Sequence, residues 1–458
     1  MKKVKSSSSS SNAFSCCSRH FLLQILYIGI NLLLNVTNAN GFNPLIQLPS
    51  SGLYGNISET VVLNIDDFGA KADGINDDTE ILRHVWKMAC SSSSPTKIVI
   101  PAGNSYRVKP TNFAGPCQSK VTLRVSGILV APQDPDVWKG LNVHKWLYFH
   151  GVKHLTVEGS GTINGMGQEW WARSCKTNKT NPCTHAPTAI TFHKCKNLKV
   201  RNVTLVNSQQ MHMAFTHCMH VAVSHLTVIA PADSPNTDGI HISASTRVEL
   251  KDSIIGTGDD CISIVSNSSH IRIKNIICGP GHGISIGSLG KYNSYAAVED
   301  VIVDGAVIFN TENGVRIKTW QGGSGFARKI RFQNVWMQNV SNPVIIDQYY
   351  CDSSKPCLNQ TSAVKIDSIS FRDIKGTSAT QEAIILSCSD SYPCTRLYLE
   401  NIQLISLSGI TKSCCWQAYG TSSGLIYPPS CIESCETIVQ ENNISIPISL
   451  QNDNYAFI

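Results

Sequence analysis

Short triplets with apolar first and third positions recur along the middle of the chain. They stand at Ile190-Thr191-Phe192, Met213-Ala214-Phe215, Ile240-His241-Ile242, Ile262-Ser263-Ile264, Ile284-Ser285-Ile286, Val315-Arg316-Ile317, Val344-Ile345-Ile346 and Ile384-Ile385-Leu386. Their first residues are separated by 23, 27, 22, 22, 31, 29 and 40 positions. Alternation of period two marks a strand with one buried face. A base period near 22, lengthened by insertions, marks stacked coils whose loops gather on one side. A β-sandwich would space its strands about 8–12 residues apart with no long repeat. From Lys97 to Leu404 the chain is a continuous series of such short strands, broken by Gly, Asn, Ser and Asp, with no internal domain boundary. The expected fold is all-β, a parallel β-helix (solenoid).

The ends differ from the middle. Val61-Val62-Leu63-Asn64-Ile65 reads as a strand. Asp77-Asp78-Thr79 then opens an amphipathic run to Cys90, with Ile81, Leu82, Val85, Trp86 and Ala89 on one face. That is a capped helix start followed by helical spacing. A β-helix has an open apolar end, so this short helix is expected to cap it, within an N-terminal cap at residues 60–95. Residues 406–458 hold four cysteines and three prolines and are expected to cap the far end. Residues 41–458 are thus expected to form one domain.

Residues 1–40 are expected to be removed. Lys2, Lys3, Lys5 and Arg19 precede an apolar run from Phe21 to Val36, and small residues follow at Asn38-Ala39-Asn40, as in an export signal. No other segment of the sequence is long and apolar enough to span a bilayer. The whole chain carries a formal charge of +6; the signal takes four basic side chains and leaves +2. A charge that small gives no general case for nucleic acid, and any preference for an anion must come from local residues. A secreted monomer without cofactor or metal is expected.

Cysteine usage agrees with export. Of 18 cysteines, Cys16 and Cys17 lie in the signal and 16 remain. Close pairs occur at Cys175/Cys183, Cys261/Cys278, Cys351/Cys357 and Cys388/Cys394, without the CxxC form or companion histidines of metal sites; disulfides are expected. Cys195 and Cys218 each follow a triplet by three residues, so they should stack, either as buried thiols or as a bond across the rungs. Seven sequons beyond the signal, at Asn56, Asn178, Asn202, Asn267, Asn339, Asn359 and Asn443, point to a glycosylated surface.

Chemistry concentrates between positions 236 and 318. Asp238, Asp260 and His282 are each 22 residues apart, two positions before a triplet. Residues one coil apart form a column, here carboxylate, carboxylate, imidazole. Asn236-Thr237-Asp238, Gly258-Asp259-Asp260-Cys261, Gly281-His282-Gly283 and Arg316-Ile317-Lys318 are each weak motifs alone, since they resemble ordinary turns or surface charge. Their common place at the edge of successive triplets joins them. Two carboxylates can hydrolyse an acetal, one protonating the leaving oxygen and the other activating water or attacking. Three crowded aspartates should raise at least one pKa. Arg316 and Lys318 alternate on one strand and face the same side. They form either a salt-bridge cluster with the aspartates or a grip on a substrate carboxylate.

The runs Ser234-Pro235-Asn236-Thr237-Asp238-Gly239-Ile240-His241, Gly256 to Ile264, Cys278 to Gly290 and Gly314 to Trp320 resemble the plant polygalacturonases of glycoside hydrolase family 28. Asp67-Phe68-Gly69-Ala70 and Ile346 to Cys351 extend the resemblance over nearly the whole mature chain. It implies a right-handed parallel β-helix that hydrolyses α-1,4-galacturonan in the cell wall with inversion. Adjacent coils would set carboxylates about 5 Å apart, nearer the spacing of retaining enzymes; the family's stereochemistry is the expectation kept. The resemblance assigns Asp259 as general acid, Asp238 and Asp260 as the water-activating pair, and His282 as the residue holding the acid's protonation. Arg316 and Lys318 would grip the uronate carboxylate, Tyr350 would contact the sugar, and Asn236 would lie in the cleft. Val265-Ser266-Asn267 is closer to endo-acting members. The alternatives are exo action, rhamnogalacturonan or xylogalacturonan hydrolysis, pectate lyase action and a silent wall-binding module. No calcium-binding carboxylate set is visible for a lyase.

Overall fold

The computed structural model describes residues 59–353, 356–406 and 409–432. The signal at residues 1–40 lies outside these residues, as do Asn56, Asn443 and the last part of the expected C-terminal cap.

The chain forms a right-handed parallel β-helix. One 11-stranded sheet takes a strand from each successive coil, in chain order from Thr111–Ala114 to Lys412–Trp416. Every neighbouring pair in it is parallel. The eight triplets are its inner eight rungs, in one register: Ile190, Met213, Ile240, Ile262, Ile284, Val315, Val344 and Ile384 lie directly over one another. The sequence period therefore measures the coil. Five of these strands carry the site: β1 (Ile240–Ser243), β2 (Ile262–Ile264), β3 (Ile284–Leu289), β4 (Asn313–Thr319) and β5 (Asn342–Asp347).

Alternation decides which side chain does what. Ile240, Ile242, Ile262, Ile264, Ile284, Ile286, Val315 and Ile317 are fully buried and stack on their counterparts in a continuous core. Burying each such side chain is worth about 1.5–3 kcal/mol. Toward the N-terminal end the column becomes aromatic: Phe113, Phe149, Phe192 and Phe215 stack with centroids 4.6, 5.1 and 5.4 Å apart. The residues between them face outward and are free to carry chemistry.

Helix α1 (Thr79–Ser91) covers the N-terminal end with Leu82, Val85, Trp86 and Ala89 buried. Trp86 packs edge-on against Phe113 and Phe149, and its Nε1 donates to the Ala114 carbonyl at 3.2 Å. The capped start expected at Asp77-Asp78-Thr79 is built by Asp77 rather than Asp78. Asp78 makes no side-chain cap; its carboxylate accepts instead from the Lys71 and Ala72 backbone N–H groups, at 2.7 and 3.2 Å, and anchors the preceding loop. Asp77 takes the Thr79 N–H in its place. The far end also differs from expectation. Lys412–Trp416 and Ala418–Tyr427 pair in parallel with the coil before them, so part of the expected 406–458 cap is one more coil.

All four expected disulfides form: Cys175–Cys183, Cys261–Cys278, Cys351–Cys357 and Cys388–Cys394. Cys90–Cys117 and Cys415–Cys431 add two more, the first tying α1 to the coil it covers. Cys195 and Cys218 stay as stacked buried thiols, donating to the Phe149 and Phe192 carbonyls of the coil before. Contact with Cys195 and burial push the Cys218 thiol well above its ordinary value. The described sequon asparagines, Asn178, Asn202, Asn267, Asn339 and Asn359, are all exposed.

Unreduced peptide mapping should recover Cys261 linked to Cys278, while Cys195 and Cys218 react with a thiol reagent only after denaturation. Alkylation of Cys261 in native protein would contradict the structure.

Candidate active site

The carboxylates lie in loops that enter β1 and β2, and the fold holds each by the coil that follows. Ser263, the middle residue of β2, donates to Asp238 Oδ2 at 2.6 Å. Ser285, at the same place in β3, donates to Asp260 Oδ1 at 2.8 Å. The next residue in this ladder is Arg316 on β4. Its Nε donates to Ser285 at 3.0 Å and its Nη2 to Asp260 Oδ1 at 2.8 Å. Lys318, two positions on, reaches Asp260 Oδ2 at 2.9 Å. Asp260 thus accepts from one hydroxyl and two cations. Of the two readings of Arg316 and Lys318, the salt-bridge cluster describes the free protein.

Asp259 faces the other way. Its Oδ1 lies 3.2 Å from His282 Nδ1 and its Oδ2 accepts from Asn236 Nδ2 at 3.2 Å. Asn236 can make this contact because it adopts a left-handed conformation, φ 56°, which asparagine tolerates. His282 Nε2 sits 3.3 Å from Glu312 Oε2, so the imidazole lies between two carboxylates. The two ends of the site are therefore distinct: an imidazole end at Asp259 and a cation end at Asp260.

Burial pushes Asp238 well above the ordinary carboxylate value, and the charges of Asp259 and Asp260 push it further. Burial would raise Asp259 too. There the hydrogen bond and charge of His282, then Lys318 and the Asp260 backbone N–H, outweigh it and hold Asp259 below the ordinary value. Burial works to lower His282, but Asp259, Glu312 and Asp260 outweigh it and raise it. Crowding does raise one carboxyl, as expected, and that carboxyl is Asp238 rather than Asp259. In the free site the imidazole holds the proton of the Asp259–His282 pair.

Tyr350 flanks the cation end, its ring 5.3 Å from Lys318 Nζ and edge-on to Trp320 at 5.5 Å. Asp347, paired with Lys318 one rung on, is raised to about 6 by burial, against the Tyr349 N–H, Arg316 and Lys318. His241 is lowered to about 4 by burial, despite Asp260 nearby. Sequence reasoning named every motif residue that the site collects, but not Ser263, Ser285, His241 or Glu312. The first three were legible as the outward middle positions of named triplets.

Asp259, Asp260 and His282 each offer a donor atom within 4.8 Å of the others, a spacing a metal ion could use. Arg316 and Lys318 already occupy Asp260, and a further cation there would meet their repulsion.

The model of glycosyl hydrolases family 28 matches residues 90–423. The chain belongs to glycoside hydrolase family 28. This family-28 chain is 55% identical to a probable polygalacturonase of Arabidopsis thaliana over 424 residues, 92% of this chain and 95% of the relative. It is 50% identical to a polygalacturonase of Persea americana over 77% of this chain and 76% of that one. Its fold matches an exopolygalacturonase of Thermotoga maritima at TM-score 0.67 and 19% identity, covering 80% and 91% of the two chains. It also matches an endo-xylogalacturonan hydrolase of Aspergillus tubingensis at TM-score 0.68 and 21% identity, covering 80% and 99%.

The His282–Asp259 pair should contribute to stability in a defined pH window. A raised histidine stabilises below its unfolded value and the contribution fades as pH rises through the folded one. A depressed carboxyl stabilises above its unfolded value and the contribution fades as pH falls through the folded one. Both hold between about 4 and 6.5. Thermal melting of His282→Gln against the unsubstituted protein should show its largest difference in that window. An equal difference at pH 8 would exclude the ion pair as its source.

Proposed function

We propose that this chain hydrolyses α-1,4-galacturonosyl linkages of pectic homogalacturonan in the plant cell wall, within the polymer and with inversion. The observation that carries the reading is the two-ended site: an imidazole paired to Asp259, and two cations on one strand beside Asp260. The first end can supply a proton to a leaving oxygen. The second can hold an anionic sugar.

Asp259 is the general acid in this reading. The proton rests on His282 in the free site and crosses 3.2 Å to Asp259 as the leaving oxygen accepts it. Asp260 takes the proton of the attacking water, and Asp238 helps to orient that water. Arg316 and Lys318 share their charge between Asp260 and the uronate carboxylate; Arg316 can meet it with two parallel N–H groups. Tyr350 provides an apolar face for the sugar, and Asn236 keeps the Asp259 carboxyl turned into the cleft.

One observation favours a second assignment. Asp238 has the raised value, which suits a proton donor at the pH of a cell wall. The two are separable with aryl galacturonides. Loss of the true acid is masked when the leaving phenol is acidic, because that group needs no proton. Asp259→Asn should lower kcat on polygalacturonate by about 10²–10⁴ and recover on the activated substrate. Recovery by Asp238→Asn instead would transfer the role to Asp238.

The endo reading rests on the likeness of Val265-Ser266-Asn267 to endo-acting sequences, and exo action is the alternative. Sizing products early in digestion of de-esterified homogalacturonan decides: a ladder of oligomers supports endo action, while monomer or dimer alone supports exo action.

Neutral substitutions at Arg316 or Lys318 should mainly raise KM on polygalacturonate, with some loss of kcat. Unchanged kinetics in both would leave only the salt bridge to Asp260. Activity should peak at mildly acidic pH. Its alkaline limb should lie above about 6.5, because the charged form of His282 persists past the ordinary histidine value. A maximum at or above neutral pH would contradict the protonated site.

A further inference from the structure

Away from the carboxylates, a groove of about 620 Å³ lies on another face of the coil stack. One edge of it is a single column. Lys120, His154, Asn197, His220, Arg247 and His270 each stand immediately before a residue of one in-register stack, Val121, Leu155, Leu198, Val221, Val248 and Ile271. They therefore occupy the same corner on six successive coils, and five of the six are Lys, His or Arg. At one rung per ~4.8 Å the column runs about 24 Å parallel to the helix axis.

The groove is short of counter-charge. It holds four fixed cations, Lys120, Lys199, Arg247 and Arg272, against one acid, Glu249. Arg272 is bonded to Asp300 on the next coil at 2.8 Å, and His270 meets the same carboxylate. Lys120, Lys199 and Arg247 make no ion pair among the described residues. Arg247 Nη1 instead lies 3.0 Å from His220 Nε2, another basic group. Cations gathered in a concavity focus a positive potential along it. Beside the column runs a second ladder, Thr156, Lys199, Ala222, Glu249 and Arg272, in which the small uncharged Thr156 and Ala222 alternate with charged side chains.

We propose that this groove is an accessory binding site for a polyuronate, which holds the enzyme on the polymer its cleft cuts. The identity of the polymer rests on the function proposed above. A polyuronate carries one carboxylate per sugar, and the column offers about one basic group per rung. Exposed charge pairs are individually weak. Affinity therefore accumulates along a polymer and is absent for a short oligomer that reaches only one or two rungs.

The test uses native gels cast with polygalacturonate. An Arg316→Ala/Lys318→Ala background weakens the cleft, and Lys199→Glu/Arg247→Glu reverses charge in the groove at exposed positions. The cleft variant should still be retarded, and adding the groove substitutions should cut its retardation at least fivefold. In a wild-type cleft, the groove substitutions should leave turnover of trigalacturonate unchanged. Undiminished retardation of the groove variant would overturn the proposal. Equal retardation of the parent by polyglutamate would also overturn it, since charge alone would then suffice. Failure to release reducing ends while groove binding persists would sink the proposed hydrolysis and leave the groove standing.

Discussion

The in-register stacking of coils is the constraint on which everything else depends. A parallel rung fixes neighbours about 4.8 Å apart and fixes which residues share a column. The buried first and third residues of each triplet enforce that register, because a slip of one position would turn the whole apolar set outward. The same relation then repeats on the outer face. Ser263 holds Asp238 and Ser285 holds Asp260, each across one rung. One coil further, the ladder position changes from serine to Arg316, and a structural hydroxyl gives way to a cation. The Cys261–Cys278 bond joins the segments bearing Asp260 and His282, so their relative height is fixed covalently as well as by packing.

Burying carboxylates is costly unless each finds a partner. Asp260 has Arg316 and Lys318. Asp259 has His282, which Glu312 also supports. Asp238 has the Ser263 hydroxyl and no comparably close fixed cation. That difference explains why Asp238 lies above the ordinary carboxylate value while Asp259 is held below it. Geometry sets the carboxylates of Asp259, Asp260 and Glu312 against the basic side chains of Arg316, Lys318 and His282, and leaves Asp238 without one so close. The proton settles on the carboxyl that lacks a cation.

Much of this was legible in the sequence because a solenoid converts spacing directly into position. All eight triplets aligned, and the four close cysteine pairs bonded. What failed to show were relations set by contact rather than period. Cys90, inside helix α1, is separated from Cys117 by three strands, and Cys415 from Cys431 by the strand Ala418–Tyr427. Asp78 looked like a helix cap, but it found two backbone N–H groups in the preceding loop. The last coil was hidden because Lys412–Trp416 has polar and cysteine residues where the triplets have aliphatic ones. The partition of protons among three aspartates was also invisible. Sequence shows that they crowd together, but only geometry shows which one faces an imidazole.

The charge balance has a consequence for the proposed chemistry. A uronate carboxylate arriving at Arg316 and Lys318 adds a negative charge to this set. It also competes with Asp260 for the same two cations. Both effects make the site more receptive to protons at the moment substrate is held, and the proton on His282 is then drawn more strongly toward oxygen. The cations that recognise the sugar would in this way prime the acid several ångströms away, with no group required to move beyond its own hydrogen bonds. An uncharged or esterified sugar at that position would leave Asp260 fully clamped and the proton at rest on the imidazole. Substrate recognition and proton supply are, on this argument, two results of one electrostatic balance.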